Sequence, residues 1–354
     1  MIVRCIIGSR TVNLYKHKDI AGSIKQGRAI QAQSHYTSAI RFFKMPRIES
    51  FIWSILLMLL SMSNVGDVSP CNYLIVDRTN WKRGAKNINL LTIGTLLQDV
   101  FVPLMWTQLD KRGNSNFRDR KVLITRLLRL MKQAGRITQG MILLADREFI
   151  GSEWFTFLVS QKLSFVIRLR EKMYFDLRMY QGVQRTPLKH FSKHIERYGI
   201  YSIPMELEGI RYTFVMIKNP KYNPKEPYIY FISNLTDATK IAAHYLKRWK
   251  IECAFKHLKT NGFNLEDCNL KGDLKIELLM TMVVFAYVLA IQEGLVNRKK
   301  IPIKKYKNGT AYLSISIFRK GYEVIQNTIK TKKELIQYTE KSINIKPIIL
   351  NNQT

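Results

Sequence analysis

The chain has 354 residues, too long for one small domain, and 46% of them are hydrophobic, which excludes a disordered chain and suits two or three packed units. Its 57 Lys and Arg against 26 Asp and Glu leave a formal net charge of +31, an excess that repels itself unless a polyanion is at hand. Nucleic acid is the natural polyanion, because each neutralised phosphate releases a counterion; a membrane surface or a ribosome would satisfy the charge alone.

Residues 1–50 hold nine Lys/Arg against Asp19 and Glu49. Met1–Gly8 is apolar but has neither a basic start nor a cleavage site, so no signal peptide is expected. The stretch from about Ile20 to Met62 has helical texture with a break near Pro46, and Ser61–Pro70 is a small-residue linker. We expect a helical, basic, DNA-binding region over residues 1–68. The apolar runs Phe51–Met62 and Leu278–Ile291 both fall short of the roughly 20 residues of a bilayer span, so both are expected as buried helices and no membrane partner is expected. Cys5, Cys71, Cys253 and Cys268 form no CxxC pair and no zinc spacing, which fits a reduced, cytoplasmic chain.

Tyr73-Leu-Ile-Val-Asp77 is a short apolar run ending in a carboxylate, the pattern of a buried strand. Ile88–Gly94 is a second strand candidate, Lys111–Ser115 a turn with Gly113 as breaker, and Arg118–Ala134 a helix. Met141–Ala145 is another buried strand that ends in a carboxylate, Asp146, and Ser152–Gln161 reads as a helix. From Ser164 to Asn234 short alternating segments (Phe165–Arg168, Ile200–Leu207, Arg211–Ile217, Tyr228–Ser233) give a β-rich texture. Asp237–Lys259 and Leu274–Ile291 are helical. Residues 296–354 carry 13 Lys/Arg against three acids and read as a basic tail, partly helical and partly loose.

Two strands thus each deliver an Asp at the C-terminal end, where a sheet exposes side chains to a crevice. Three carboxylates at one point repel unless a cation is present, and hard oxygen ligands select Mg²⁺ or Mn²⁺. Two such ions activate a water or a 3′-OH and stabilise the leaving oxygen in phosphoryl transfer. Taken alone, an Asp at a strand end, such as Asp77 or Asp146, is more often a turn former or a helix cap. The helix around Glu252 is more informative. At about 100° per residue, Tyr245, Arg248, Glu252 and Lys259 fall at roughly 0°, 300°, 340° and 320°, one narrow stripe, while Ile251, Ala254 and Leu258 share the opposite side. His244 and His257 fall off the stripe and are read as non-ligands. A solvated charged face is the bland alternative.

Tyr245-x-x-Arg248-x-x-x-Glu252-x-x-x-x-x-x-Lys259 matches the YREK signature of IS4-type insertion-sequence transposases at every position. Asp77-Arg-Thr-Asn-Trp81 and Leu144-Ala-Asp146-Arg-Glu-Phe149 resemble the segments that hold the first and second Asp of that DDE superfamily. The resemblance runs from about His35 to Gly294. It implies an α/β, RNase H-like mixed sheet flanked by helices, with a β-rich insertion between the second Asp and the Glu, here 106 residues apart. The expected boundaries are a catalytic core over 69–162, an insertion over 163–236, the rest of the core over 237–295 and a basic C-terminal region over 296–354.

By the same resemblance, Asp77, Asp146 and Glu252 are the catalytic acids and hold two Mg²⁺ (or Mn²⁺) ions. Tyr245, Arg248 and Lys259 contact phosphates and a flipped base near the transposon end, and Arg78, Asn80 and Arg147 are further DNA-binding candidates. Trp81 is read as core, Glu148 as structural, and Arg147 equally as the partner of a local acid. Some relatives stack the flipped base on a Trp in the insertion; Ser164–Asn234 has none, and Tyr222 and Tyr228, the candidate substitutes, read more readily as ordinary strand packing. The implied activity is cut-and-paste transposition on double-stranded DNA, inverted repeats and target, by at least a homodimer. A catalytically decayed DNA-binding protein and a general RNase H-like nuclease are the alternatives.

Overall fold

The computed structural model describes residues 1–18, 32–62, 73–83, 86–171, 174–175, 186–187, 192, 195, 199–207, 209–220, 223–329 and 332–344. Helix α1 (Ile2–Ser9) precedes α2 (Ala32–Phe42) and α3 (Ile48–Met62), which are separated at Pro46. The expected linker lies mostly outside the described residues. Next comes an antiparallel meander of β1 (Tyr73–Arg83), β2 (Lys86–Leu97) and β3 (Val100–Gln108). β1 runs six residues past Asp77, so the first acid lies within a strand and not at its end.

Gln98 and Asp99 both adopt positive φ, 44° and 68°, as a two-residue hairpin turn that follows the strand twist requires. β3 is absent from the sequence expectations because Pro103 interrupts its apolar run. Proline is confined to edge strands and bulges, and Pro103 lies in both: β3 is an edge strand, and the register shifts at Ile93/Gly94, opposite Pro103. A Cβ on Gly94 would stand 2.1 Å from the Val102 carbonyl oxygen, so the bulge requires glycine.

Helix α4 (Phe117–Gln133) opens with a capping box between Asn116 and Asp119. It leads to β4 (Ile142–Ala145), α5 (Ser152–Ser160) and β5 (Ser164–Arg168). β1, β4 and β5 are parallel neighbours, and their paired stretches, Leu74–Val76, Leu143–Ala145 and Phe165–Ile167, are apolar and buried on both faces. The short pair β6 (Tyr174–Phe175) and β7 (Thr186–Pro187) stands apart. Strands β8 (Ile200–Leu207), β9 (Ile210–Lys218) and β10 (Tyr228–Ser233) join antiparallel on the far side of β5. The order of the eight-stranded mixed sheet is therefore β3-β2-β1-β4-β5-β10-β9-β8. The first five strands have RNase H-like order. The β-rich stretch continues this sheet, and Ser164–Arg168, grouped with the insertion from sequence, is the fifth strand of the core. Asn234 fastens the seam: its side chain accepts from the Phe165 amide at 2.8 Å and donates to the Leu163 carbonyl at 3.0 Å.

The helix expected over Asp237–Lys259 is two helices, α6 (Ala238–Leu246) and α7 (Trp249–Lys259). The amides of Lys247, Arg248, Lys250 and Ile251 bond three residues back, not four, so the junction is a tightened 3₁₀ turn. Lys247 and Lys250 grip Asp99 at the β2–β3 turn, at 2.7 and 2.5 Å.

Helix α8 (Asp273–Val296) has 24 residues and is long and apolar enough to cross a membrane, more than the Leu278–Ile291 run suggests. Protein covers it instead: α3, β3, α1 and α9 (Ile317–Thr328) pack around it, and it is buried nearly all round, as the central helix of a core. The C-terminal region also holds a hairpin, β11 (Ile303–Lys305) with β12 (Ala311–Leu313), and α10 (Lys332–Asn344).

Helices α8 and α9 touch backbone to backbone at two glycines. A Cβ on Gly321 would stand 1.8 Å from the Ala290 carbonyl oxygen, and one on Gly294 2.0 Å from that of Ile317. In an exposed helix Gly→Ala gains about 1 kcal/mol. Here the clash is with backbone, which cannot step aside, so Gly321→Ala should instead destabilise the chain by about 2 kcal/mol or more, read from the urea midpoint.

Candidate active site

Register brings the first two acids together. Val76 on β1 pairs with Ala145 on the parallel strand β4, so the next residue of each chain segment, Asp77 and Asp146, stands side by side. Neighbouring strands lie about 4.8 Å apart, which makes this a like-charged pair. The third acid arrives on the first turn of α7, whose opposite face is anchored by Ile251, Ala254 and Leu258 in the core.

The charge is offset in part by Arg248, only 8% exposed. It donates through Nη1 to Asp77 Oδ2 at 2.9 Å and through Nη2 to Glu252 Oε1. Tyr245, also 8% exposed, donates its hydroxyl to Asp146 Oδ1 at 3.3 Å, and its ring packs on Phe231 at 4.7 Å. The three acids thus converge on one guanidinium and the phenol beside it. Burial alone would lower the Arg248 pKa; Tyr245, Asp146, Asp77 and Glu252 together hold it above the ordinary arginine value. Burial pushes the Tyr245 phenol up as well.

Asp77 is pushed up to about 6, first by burial and then by Asp146 and Glu148, against the lowering effects of Arg248 and of the Arg78 amide, which donates to it at 2.7 Å. A carboxyl that holds its proton more tightly in the folded state adds stability below its unfolded pKa of about 4 and loses that contribution as pH rises through 6. In EDTA the chain should therefore become less stable, by on the order of 2 kcal/mol, as pH rises from 4 to 7. Urea unfolding across that range checks the sign, and Asp77→Asn should flatten the slope.

Lys259 lies at the far end of α7. Its Nζ donates to the Asn80 carbonyl at 2.7 Å and pairs with Glu266 at 3.2 Å, so this end of the stripe is fixed to β1. The Asn80 side chain is exposed. Arg78 uses three of its five guanidinium N–H groups among the described residues. It pairs with Glu148 at 3.2 Å and donates to Asn89 and Asn114, while Glu148 also accepts from the Ser115 hydroxyl at 2.9 Å. Arg120 closes that network on the Ser115 and Glu148 carbonyls. This geometry ties Arg78 and Glu148 together close to Asp77, and among the described residues the Arg78 guanidinium bonds to none of the three acids. Arg147 is exposed and pairs with Glu226 at 2.6 Å, and Glu226 also holds Arg168 at 3.0 Å.

Trp81 is buried. His244 accepts from or donates to the Tyr73 hydroxyl at 2.7 Å, and His257 stacks on Phe318 at 4.5 Å; neither reaches the acids. Tyr228 is half-buried in β10, and Tyr222 lies outside the described residues. The sequence reading passed over Trp249. It is 44% exposed, with the Lys256 ammonium 5.6 Å from its ring. The same angular arithmetic that found the stripe puts Trp249 near 40° and Lys256 near 20°, beside Glu252. That was the available signal.

A divalent cation fits this donor set: three carboxylates, all hard oxygen ligands, stand around one guanidinium that pairs with two of them, while the third accepts from Tyr245. Among the described residues no three His, Cys, Asp or Glu side chains form a finished metal cluster, and Arg248 stands between Asp77 and Glu252. No curated protein sequence matches the chain. The transposase DDE domain family matches residues 74–289, more than half of the chain, from the start of β1 to the middle of α8 and across Asp77, Asp146 and the whole Tyr245–Lys259 stripe. With an RNase H-like order of strands beneath these acids, the chain belongs to the transposase DDE domain family, metal-dependent enzymes of phosphoryl transfer on DNA.

Proposed function

We propose that the chain is an IS4-type, cut-and-paste transposase with Asp77, Asp146 and Glu252 as its catalytic acids. The supporting observation is the convergence of these acids, from two adjacent strands and one helix, on Arg248 and Tyr245 of the same helical stripe. Asp77, Asp146 and Glu252 would hold two Mg²⁺ or Mn²⁺ ions, which supply charge neutralisation and an activated water or 3′-OH at the reacting phosphate. Arg248 keeps the acids together beforehand. Once their charge is otherwise balanced, its planar fork suits a DNA phosphate. Tyr245 orients Asp146 through its one O–H, which turns to the same phosphate once a cation takes its place at that carboxylate. Lys259 adds a point charge at the other end of the helix, and Arg147 can exchange Glu226 for a phosphate at little cost, since exposed ion pairs are weak.

Trp249 replaces the aromatic missing from the insertion as the platform for an unstacked base. Base–aromatic stacking contributes about 1–3 kcal/mol, so Trp249→Ala should weaken end processing by roughly tenfold or more while Trp249→Phe retains most of it. Fluorescence of 2-aminopurine at the end nucleotides reads the effect directly. Two chains acting on paired ends make a homodimer the working unit.

The test is a labelled duplex carrying the terminal inverted repeat of the encoding element, incubated with Mg²⁺. The expected products are a 3′-OH released at the element end and its joined product on target DNA. Digestion of unrelated duplexes at the same rate would indicate a general nuclease, and binding without nicking a decayed enzyme.

A further inference from the structure

We propose that the cleft at the C-terminal end of α7 is a second phosphate-binding site, in which Arg10 and Arg319 hold the backbone of the DNA whose end lies at the three acids. This rests on the reading of the chain as an enzyme of DNA ends. The cleft has a volume of about 500 Å³ and is walled by three segments far apart in sequence: Arg10 after α1, residues 260–264 after α7, and residues 315–319 at the start of α9. Its lining carries two guanidinium groups, the polar side chains of Thr260, Asn261 and Ser316, and no carboxylate. His257 adds no charge, because burial brings its pKa down to about 4. The positive charge of the cleft is therefore the fixed charge of arginine, which does not titrate.

The walls are built to hold this shape. Arg10 and Asn264 both adopt left-handed backbone, φ 55° and 48°, and the Asn264 side chain donates to the Arg10 carbonyl at 3.0 Å. The Arg10 guanidinium lies over the Tyr322 ring at 5.2 Å and donates to Gln326 at 3.1 Å. Gly262 lets the loop close on α9: a Cβ there would stand 2.3 Å from the His257 carbonyl and 2.8 Å from the Phe318 ring. A site fixed before binding loses little entropy on binding.

Position supports a DNA phosphate over a free anion. At 1.5 Å per residue, Thr260 lies about 12 Å from Glu252 along α7, within the length of four base pairs. The cleft opens to solvent on the helix that presents the acids, in a chain of net charge +31. Arg319 is exposed and engaged only loosely among the described residues, by Glu323 one turn on at 2.6 Å. Such a pair is weak in water and gives way to a phosphate.

The experiment is fluorescence anisotropy of the full chain on an end duplex over a series of salt concentrations. Arg319→Ala should weaken binding about tenfold and lower the slope of log K against log salt by about 0.9, one phosphate contact, at an unchanged melting temperature. Glu323→Gln, which releases Arg319, should tighten binding severalfold, and more than Glu153→Gln on α5 does. A methylphosphonate scanned along the duplex should reveal a phosphate whose neutralisation weakens the native chain and not Arg319→Ala. Unchanged affinity and slope in both Arg319→Ala and Glu323→Gln would overturn the site while leaving the enzyme reading intact. Millimolar inorganic phosphate that stabilises the native chain through Arg319, with DNA affinity unaffected, would make it a free-anion site and overturn the proposal. Absence of any DNA binding by the native chain would remove both readings together.

Discussion

Asp77→Ala, Asp146→Ala and Glu252→Ala are each expected to reduce strand cleavage at an element end by 10³-fold or more, a loss of about 4 kcal/mol or more of transition-state stabilisation. The reason is that each acid comes from a different element and none has a neighbour able to take its place. Glu148, close enough to act on the Asp77 carboxyl, is committed to Arg78 and Ser115. DNA binding should survive all three changes, because it is carried by cations and each change removes a negative charge. The pattern that supports the assignment is therefore intact or tighter end binding with cleavage abolished. Two acids that matter and a third that does not would break the triad. Glu148→Gln is the matched control: it should cost stability through the Arg78 network and leave cleavage by the folded fraction within a few-fold of the native rate. The acids are expected to act as a unit, so the double change Asp77→Ala/Glu252→Ala should be little worse than either single change.

Much of this site was legible in the sequence, for reasons that can be named. The β1 and β4 runs are buried on both faces, so hydrophobicity alone marks them, and the residue that breaks each run is the acid. Helical periodicity then ordered Tyr245, Arg248 and Glu252 on one side and Ile251, Ala254 and Leu258 on the other, which is how they lie. Three things were not legible. β3 was hidden by Pro103, whose meaning depends on its being at an edge, a fact of topology. The membership of Ser164–Arg168 in the core sheet depends on its parallel pairing with β4, which local texture does not encode. The engagement of Arg78 depends on Glu148, Asn89 and Asn114, brought together from as far as 70 residues away. Trp249 is legible by the same angular arithmetic, since it lies between signature positions on the side of the helix that carries Glu252.

Arg248→Ala is the second large effect expected, and it separates the two roles assigned to that side chain. Removing one partner of a buried ion pair leaves an uncompensated charge and costs roughly 3–5 kcal/mol; partial exposure of Glu252 places this case at the lower end. In EDTA at pH 7 the variant should therefore unfold at lower urea by about 3 kcal/mol, and the Asp77 carboxyl, deprived of its nearest cation, should titrate above its present value of about 6. A divalent ion should then stabilise the variant more than the native chain, because it no longer competes with a guanidinium. At a concentration one hundred times its dissociation constant the gain is about 2.7 kcal/mol, enough to restore most of the loss. Cleavage should stay depressed even in saturating Mg²⁺ if the arginine also forks a DNA phosphate. Arg248→Lys distinguishes the parts, since it keeps the charge without the fork. It should recover much of the stability in EDTA and little of the cleavage. Full recovery of both by lysine would make Arg248 a counter-ion alone, and an EDTA stability equal to that of the native chain for Arg248→Ala would mean that the three acids do not depend on it.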